Sequence, residues 1–382
     1  MKKKKTPLPK LKFDPDQVKI RKARVRDLGQ LVDLENSCFE YDLLSRRNFH
    51  WMVKNAHSIF LVIEYKTKLI GYGLVLINSG TSLARLYSIC TLPEFQGHGL
   101  ASQLISHLEL LASDEEDCAY LRLEVKASNK SAIKLYEKLG YRKFTQKKDY
   151  YDDGGTALCY EKRIRILKKK PRLNIPYYQQ GTEFTCGPSC LMMAMKTFNP
   201  RVDMSLTSEL QIWREATTIF MTSGHGGCGP RGLALSAWRR GYRPELFLSH
   251  SSVLFKDTVR SPEKKKIIEL VHKDFEAKIQ ETEIKVHKKR LTLVDLDEIL
   301  KSGGIPIVLI TTYHFDSNRI PHWVIVTAYD ESFVYIHDPD QDTPEEHEGV
   351  ISKVHIPIPE DQFLKISRWG KEKVSAAVVV YR

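Results

Sequence analysis

Between Ser58 and Ser113 the hydrophobic pattern changes period across a pair of glycines, and this change restricts the fold more than any other feature of the chain. "SIFLVIEY" and "LIGYGLVLI" are dense in β-branched and aromatic residues and read as adjacent strands, with "LARLYSICTL" as a third. After "PEFQGHG" the spacing becomes helical: Leu100, Leu104, Ile105, Leu108 and Leu111 fall on one stripe of "GLASQLISHLELLAS". That stripe has to be buried on a sheet, so the segment is α+β in character. "LRLEV" continues as a short strand and "NKSAIKLYEKLGY" as a helix stopped by Gly140.

A chain of 382 residues exceeds one ordinary domain. A composition that is 42% hydrophobic and 28% charged is that of a globular protein. "RIRILKKKPRLN" joins a basic run to Pro171 and reads as a hinge. The expected organisation is a basic tail over 1–17, a first α+β domain over 18–163, a linker over 164–172 and a second α+β domain over 173–382. The second domain opens with "LNIPYY" as a strand and "CLMMAMKTF" as an apolar helix. A charged helical region covers about 261–290, and "IPIVLITTY", "HWVIVTAY", "FVYIHD" and "VSAAVVVY" give a strand-rich end.

The basic start "MKKKKTPLPKLKFDPDQ" lacks an apolar core and is not a secretory signal; no apolar run approaches the length of a membrane span. Seven cysteines, an odd number without framework spacing, fit free thiols in a reduced, cytoplasmic setting. A net charge of +12 suits an acidic partner such as nucleic acid, the ribosome, an anionic cofactor or an acidic peptide, or else a well-solvated surface.

Gly97 and Gly99 sit between a strand and a helix, where the backbone turns sharply and the first helical amides face an anion. A plain strand–helix turn has the same signature, so the neighbouring residues matter. The stretch resembles the coenzyme A motif of the GNAT acetyltransferases, Gln/Arg-x-x-Gly-x-Gly/Ala, at Gln96, Gly99 and Ala101, and "LEVKASNKSAIKLYEKLGYRK" resembles the RimI-type protein N-terminal acetyltransferases. The resemblance implies a GNAT fold, a mixed central sheet flanked by helices. It also implies acetyl-CoA bound by Gln96, Gly97, His98, Gly99, Leu100 and Ala101, with Ile89 to Thr91 aligning its acetyl arm and Asn129 helping to seat it. Acetyl transfer requires an amine that has lost its proton and a proton donor for the departing thiolate. Glu124 and Tyr136, twelve residues apart, match the base and acid proposed for RimI-like enzymes; taken alone they read as a solvated strand residue and a packed aromatic.

"QQGTEFTCGPSC" supplies the second chemistry. Cys186 lies where a loop becomes a helix, a position that favours the thiolate. His322 opens "HWVIVTAY" and Asp338 follows sixteen residues later, so a hairpin would set the imidazole beside the carboxylate. Gln180 and the Cys186 N–H would then serve as oxyanion donors. The pattern Gln, five residues, Cys-Gly, then His and Asp-Pro resembles the papain-like peptidases of family thirty-nine, which cut double-glycine leader peptides. It departs from them at Thr185, where transporter-linked members carry aspartate, and in lacking exporter segments; soluble peptidase-like relatives fit better. That resemblance implies a papain-like fold, helices packed on an antiparallel sheet. A zinc clip from Cys186, Cys190, His225 and Cys228 is the competing reading of the cysteines, and it leaves Gln180, His322 and Asp338 unexplained. Cys190 is more simply a buried small residue, "GHGGCGPRG" a loop entering a helix, and His337 points to the opposite strand face from Asp338; no metal is expected.

The sequence thus describes a cytoplasmic two-domain enzyme acting on a peptide or protein. One domain transfers acetyl from acetyl-CoA to an amine, and the other hydrolyses a peptide bond with Cys186, His322 and Asp338, so that a new N-terminus is exposed and acetylated. A second domain that only presents a peptide, or that carries out amide transfer through the same acyl-enzyme, stands as the alternative.

Overall fold

The apolar strands that follow Ser58 hydrogen-bond to one another in chain order and form the centre of a first sheet. The computed structural model describes residues 13–41, 43–54, 57–78, 80–151, 153–165, 173–218, 226–250, 253–256, 259, 261–312, 321–341, 353–370 and 372–382. The chain divides into a unit of Met1–Asn78 with Ser82–Ile166 and a unit of Leu167–Arg382 with Ser79–Thr81.

The first unit runs β1 (Val18–Lys22), α1 (Leu28–Cys38), α2 (Arg46–Lys54), β2 (Ser58–Tyr65), β3 (Lys68–Ile77), β4 (Leu83–Thr91), α3 (Leu100–Asp114), β5 (Tyr120–Lys126), α4 (Lys130–Lys138), β6 (Arg142–Lys147) and β7 (Ala157–Arg163). Its sheet has the order β1-β2-β3-β4-β5-β7-β6. Every pairing is antiparallel except β4 with β5. That parallel pairing covers only Leu83↔Tyr120, Ala84↔Leu121 and Arg85↔Arg122, so β4 and β5 run on without each other. The register between β3 and β4 also shifts between Leu74 and Val75, stepping over Tyr87. Tyr87, Ser88 and Ile89 are half-exposed within an otherwise buried strand, and this opening positions the first site. The stripe Leu100, Leu104, Ile105 and Leu108 is buried as its period requires, and Gly73 lets α3 approach closely: a Cβ there would lie 2.7 Å from Leu108 Cδ1. Side chains alternate across a strand, so α1, which reaches Tyr72, covers the other face.

The second unit runs α5 (Cys186–Phe198), α6 (Leu206–Ala216), α7 (Pro230–Arg239), β8 (Arg243–Leu248), α8 (Pro262–Gln280), β9 (Lys285–His287), α9 (Leu293–Lys301), β10 (Ile305–Thr311), β11 (Pro321–Tyr329), β12 (Phe333–His337), β13 (Ile356–Pro359), α10 (Glu360–Ile366) and β14 (Ala376–Tyr381). Its sheet has the order β13-β12-β11-β10-β14-β8-β9 and is antiparallel apart from β8 with β9. α5 is buried from Cys186 through Met195 and joins Ile307, Ile325 and Val378 in the core. Both units are α+β, each a sheet with helices. Among the described residues no helix is long and apolar enough to cross a membrane.

Two expectations are corrected here. "LNIPYY" forms no strand: Pro176 has no N–H for a ladder, and the segment is held by isolated bonds, Leu173 N to Thr327 O at 2.8 Å and the His337 ring to Ile175 O at 3.1 Å. The charged region over 261–290 is helical only to Gln280; the Thr282 hydroxyl donates to Ile279 O at 2.8 Å, and "KVH" then pairs with β8. Charge alone fixes no period there.

α6 and α7 cross where Gly232 meets Ala216. A Cβ on Gly232 would stand 2.6 Å from both Cα and O of Ala216, which are backbone atoms and cannot turn aside. Gly232→Ala should destabilise the second unit by about 1–3 kcal/mol, whereas Gly227→Ala, where a Cβ meets nothing within 4 Å, should be near neutral. Denaturant unfolding of the two variants checks this.

Candidate active sites

In the first unit the residues expected to act lie on β4, on the loop after it, on β5 and on α4 with its cap. Ile89 is half-exposed, and the buried Thr91 hydroxyl has no hydrogen-bond partner among the described residues. The chain then makes a single 3-10 turn and enters the glycine loop, where Gln96 Nε2 donates to Thr91 O at 3.2 Å. Gly97 and Gly99 have φ of +84° and +77°, and a Cβ on either would meet nothing within 4 Å. The loop is bent by its glycines and open above them, as a pyrophosphate requires. Gly99 is the N-cap of α3 and brings no side-chain cap, so the first amides of the helix are left for another acceptor. Leu100 anchors that turn in the core, Ala101 is half-buried, and the exposed His98 ring rests against Phe13 at 4.3 Å between centroids. These features fit an acetyl-CoA site formed by Gln96 to Ala101 with Thr91.

Asn129 caps α4, its Oδ1 accepting from Ala132 N at 3.1 Å. Tyr136, on α4, is buried, and burial pushes its phenol up to about 12. It therefore keeps its proton at neutral pH, as a general acid must. Glu124 is placed differently from a free base. Its Oε2 accepts from Arg85 Nε at 2.9 Å in a buried ion pair, and Lys147 Nζ lies 3.9 Å from its Oε1. Arg85, which sequence reasoning did not single out, also donates to the Tyr150 hydroxyl at 2.8 Å.

In the second unit Cys186 is the first residue of α5, and Thr185, the N-cap, makes no side-chain bond to the helix amides. β11 carries His322 and the end of β12 delivers Asp338. His322 Nε2 donates to Asp338 Oδ1 at 2.7 Å, and Cys186 lies close enough to the ring to act on its charge. Burial would push the imidazole down, but the Asp338 charge and the Cys186 sulfur outweigh it and hold His322 well above its ordinary 6.5. For Asp338 burial acts upward, and the His322 charge and hydrogen bond bring it down to about 2. The hairpin juxtaposition read from the sequence is thus present. His337 turns to the other face, taking an N–H from His355 at 2.9 Å.

Gln180 sits beside the same strand end: its N donates to Pro339 O at 2.7 Å, and Gln341 Nε2 donates to its O at 3.0 Å. Its side-chain Nε2 donates to Asp340 Oδ1 at 3.1 Å, and Oε1 is buried without a partner among the described residues. Glu209 on α6 fixes the segment before the cysteine. It is fully buried and accepts from Gly181 N at 2.9 Å, from the Tyr178 hydroxyl at 2.8 Å and from the Thr185 hydroxyl. Glu209 shares the buried stripe of α6 with Ile212 and Ala216.

The other cysteines are occupied elsewhere. Cys190 donates to Trp323 O at 3.4 Å, and burial pushes the Cys190 and Cys228 thiols well up. His225 lies outside the described residues.

Comparison with known proteins gives two matches along the chain. Residues 175–381 match the Peptidase_C39 like family and residues 28–141 the Acetyltransferase (GNAT) family. A Bacillus subtilis (strain 168) protein provisionally named a ribosomal protein bS18 alanine N-acetyltransferase is 32% identical over 138 residues, 36% of this chain and 88% of its own length. An uncharacterised N-acetyltransferase of Methanocaldococcus jannaschii is 30% identical over 159 residues, 41% of this chain and 95% of its own. The crystal structure of the Escherichia coli ribosomal-protein-S18-alanine N-acetyltransferase aligns at 25% identity and a TM-score of 0.36, covering 40% of this chain and 98% of its own.

The His322–Asp338 pair carries a definite pH signature. His322 is raised, so its contribution to stability is complete below 6.5 and fades as pH climbs through its higher folded value. Asp338 is lowered, so its contribution is complete above 3.8 and fades as pH falls through about 2. The loss of stability in Asp338→Ala should therefore be greatest on a plateau from about pH 4 to about 6.5 and should shrink on both sides. Denaturant unfolding of parent and variant across pH measures it.

Proposed function

Because the chain belongs to the Peptidase_C39 like family and carries a GNAT acetyltransferase domain in its first part, we propose that it cleaves a peptide bond and acetylates the amine so exposed. The observation that carries the thiol half is the buried His322–Asp338 hydrogen bond, set where Cys186 acts on the same ring.

The residues divide the work by position. Cys186, at the start of α5, passes its proton to His322 and attacks the scissile carbonyl. His322 then gives its proton to the departing amine, while Asp338 holds the ring so that Nδ1 faces the sulfur. The Cys186 N–H and the Gln180 amide stabilise the oxyanion, and for this Gln180 uses the N–H that Asp340 does not take. A water frees the carboxylate product and restores the thiol.

In the first unit the Gln96–Ala101 loop binds acetyl-CoA, and this substrate supplies an activated acetyl thioester. Ile89 and Thr91 align the reacting end, and Asn129 supports the cofactor side by fixing the start of α4. Tyr136 protonates the sulfur that leaves. The name of the Bacillus subtilis relative, provisionally a ribosomal protein bS18 alanine N-acetyltransferase, supports an α-amine as acceptor. A basic chain of net charge +12 is compatible with ribosomal contact, and a cytoplasmic location follows from that substrate.

The test is to incubate the protein with a proteome-derived peptide library and isotope-labelled acetyl-CoA, then read new termini and acetyl marks by mass spectrometry. Cys186→Ser should abolish new termini and leave acetylation of peptides with free N-termini intact. Gly99→Asp, which puts a side chain and a negative charge where the pyrophosphate binds, should do the reverse. Tyr136→Phe should lower turnover roughly 10²–10⁴-fold with little change in acetyl-CoA affinity. New termini that persist in Cys186→Ser would contradict the thiol reading.

A further inference from the structure

We propose that the acceptor amine gives up its proton to Glu35 through a relay of Ser88 and Tyr72, and that Glu124 is a positioning residue for Arg85; the inference rests on the acetyltransferase reading. Glu35 lies on the buried stripe of α1 with Leu28, Leu31 and Leu34, and is 2% exposed. A carboxylate in such a place normally has a cation beside it. Here its partners among the described residues are Leu44 N, which donates to Oε1 at 2.8 Å, and the Tyr72 hydroxyl, which donates to Oε2. With its own proton committed to Glu35, Tyr72 accepts from Ser88 Oγ at 2.7 Å. The three groups form a directed chain of hydrogen bonds whose far end, Ser88, is one of the three half-exposed residues of β4 and precedes Ile89.

The relay balances. The ammonium passes a proton to Ser88 Oγ, the Ser88 proton moves to the Tyr72 oxygen, and the Tyr72 proton moves to Glu35. The neutral amine forms the new C–N bond as the thioester C–S bond breaks, the thiolate takes the Tyr136 proton, and the second proton, shed by the nitrogen as it becomes an amide, restores the Tyr136 phenol. Glu35 later releases its proton to solvent by the same route. The titratable groups facing Glu35 are Tyr72 from β3, Cys38 from its own helix and Cys90 from β4. Burial pushes Glu35 up from its ordinary value, partly opposed by its two hydrogen bonds, and burial pushes the Tyr72 phenol well up, so Tyr72 conducts a proton without losing one. Glu124 lacks this freedom, since Arg85 occupies its Oε2.

The experiment compares Glu35→Gln, Tyr72→Phe and Glu124→Gln with the parent, using acetyl-CoA and short peptides that cover every free N-terminal residue. CoA release is followed across pH, and acetyl-CoA affinity is measured by calorimetry. Glu35→Gln and Tyr72→Phe should lose about 10²–10⁴-fold in kcat/KM for peptide at pH 7 and recover toward the parent above about pH 9. There an N-terminal amine needs no base. Acetyl-CoA affinity should be unchanged in both. Glu124→Gln should show no such recovery. Infrared difference spectra of protein with carbon-13-labelled glutamate add a readout independent of turnover: the Glu35 band, identified by its loss in Glu35→Gln, should be that of a carboxylate at pH 7. Losses that ignore pH, recovery confined to Glu124→Gln, or a Glu35 still protonated at pH 7 would overturn the relay. If Glu35→Gln fails to fold, the pH profile of Tyr72→Phe decides alone. A parent that acetylates no peptide, with acetyl-CoA bound, would overturn the acceptor reading and the relay with it. Failure to bind acetyl-CoA would instead overturn the assignment of the loop.

Discussion

The first N–H groups of an α-helix have no partner inside the helix, and both chemical centres depend on leaving that constraint unresolved. Asn129, Ser205, Ser261 and Thr292 each accept a backbone N–H at the start of α4, α6, α8 and α9, while α1, α7 and α10 have no side-chain cap. α3 and α5 have no such side chain. At α3 the N-cap is Gly99, whose positive φ bends the loop and whose missing side chain keeps the approach open. At α5 the N-cap Thr185 has a suitable hydroxyl, but it is bonded to Glu209. On the proposed reading the amides and dipole of α3 face the anion of the acetyl donor, and those of α5 face the Cys186 sulfur.

Keeping a helix end uncapped needs support from elsewhere, and buried carboxylates provide it. Glu209 holds Gly181, Tyr178 and Thr185 against α6, fixing the loop that carries Gln180. Asp338 fixes His322, and Asp340 with Gln341 fixes Gln180 from the other side. In the first unit Glu124 performs this task for Arg85, the last β4 residue paired with β5, at the point where the strands part. Removing one partner of such a buried pair leaves an uncompensated charge, so these residues are expected to be costly to replace even where they touch no substrate.

The sequence was most readable where period and chemistry coincided. The strand–glycine–helix passage around Gln96 to Ala101, and the strands that set His322 beside Asp338, follow from apolar spacing and two glycines. "LNIPYY" and the charged stretch after Gln280 misled because composition resembled a regular element while Pro176 and Thr282 worked against it. Glu35 and Glu209 were not singled out, although each interrupts the apolar stripe of its helix with a carboxylate. Nothing local distinguishes such a residue from a solvated one at the stripe's edge; its role is set by hydrogen bonds from residues as far away as Tyr72 and Gly181. The role first read for Glu124 likewise depended on spacing, and spacing does not reveal the guanidinium of Arg85.

The central claim is that Cys186 is a nucleophile poised by its helix and its imidazole, and the reactivity of the seven cysteines tests it most directly. Iodoacetamide labelling with peptide mapping over a pH series should modify Cys186 first near neutral pH and leave Cys190 and Cys228, whose thiols burial pushes up, inert in the native state. His322→Ala should slow the Cys186 reaction, and Gln180→Ala should leave it unchanged, since an oxyanion donor does not act on alkylation. Preferential labelling of Cys190 or Cys228, or a Cys186 rate indifferent to His322, would contradict the account.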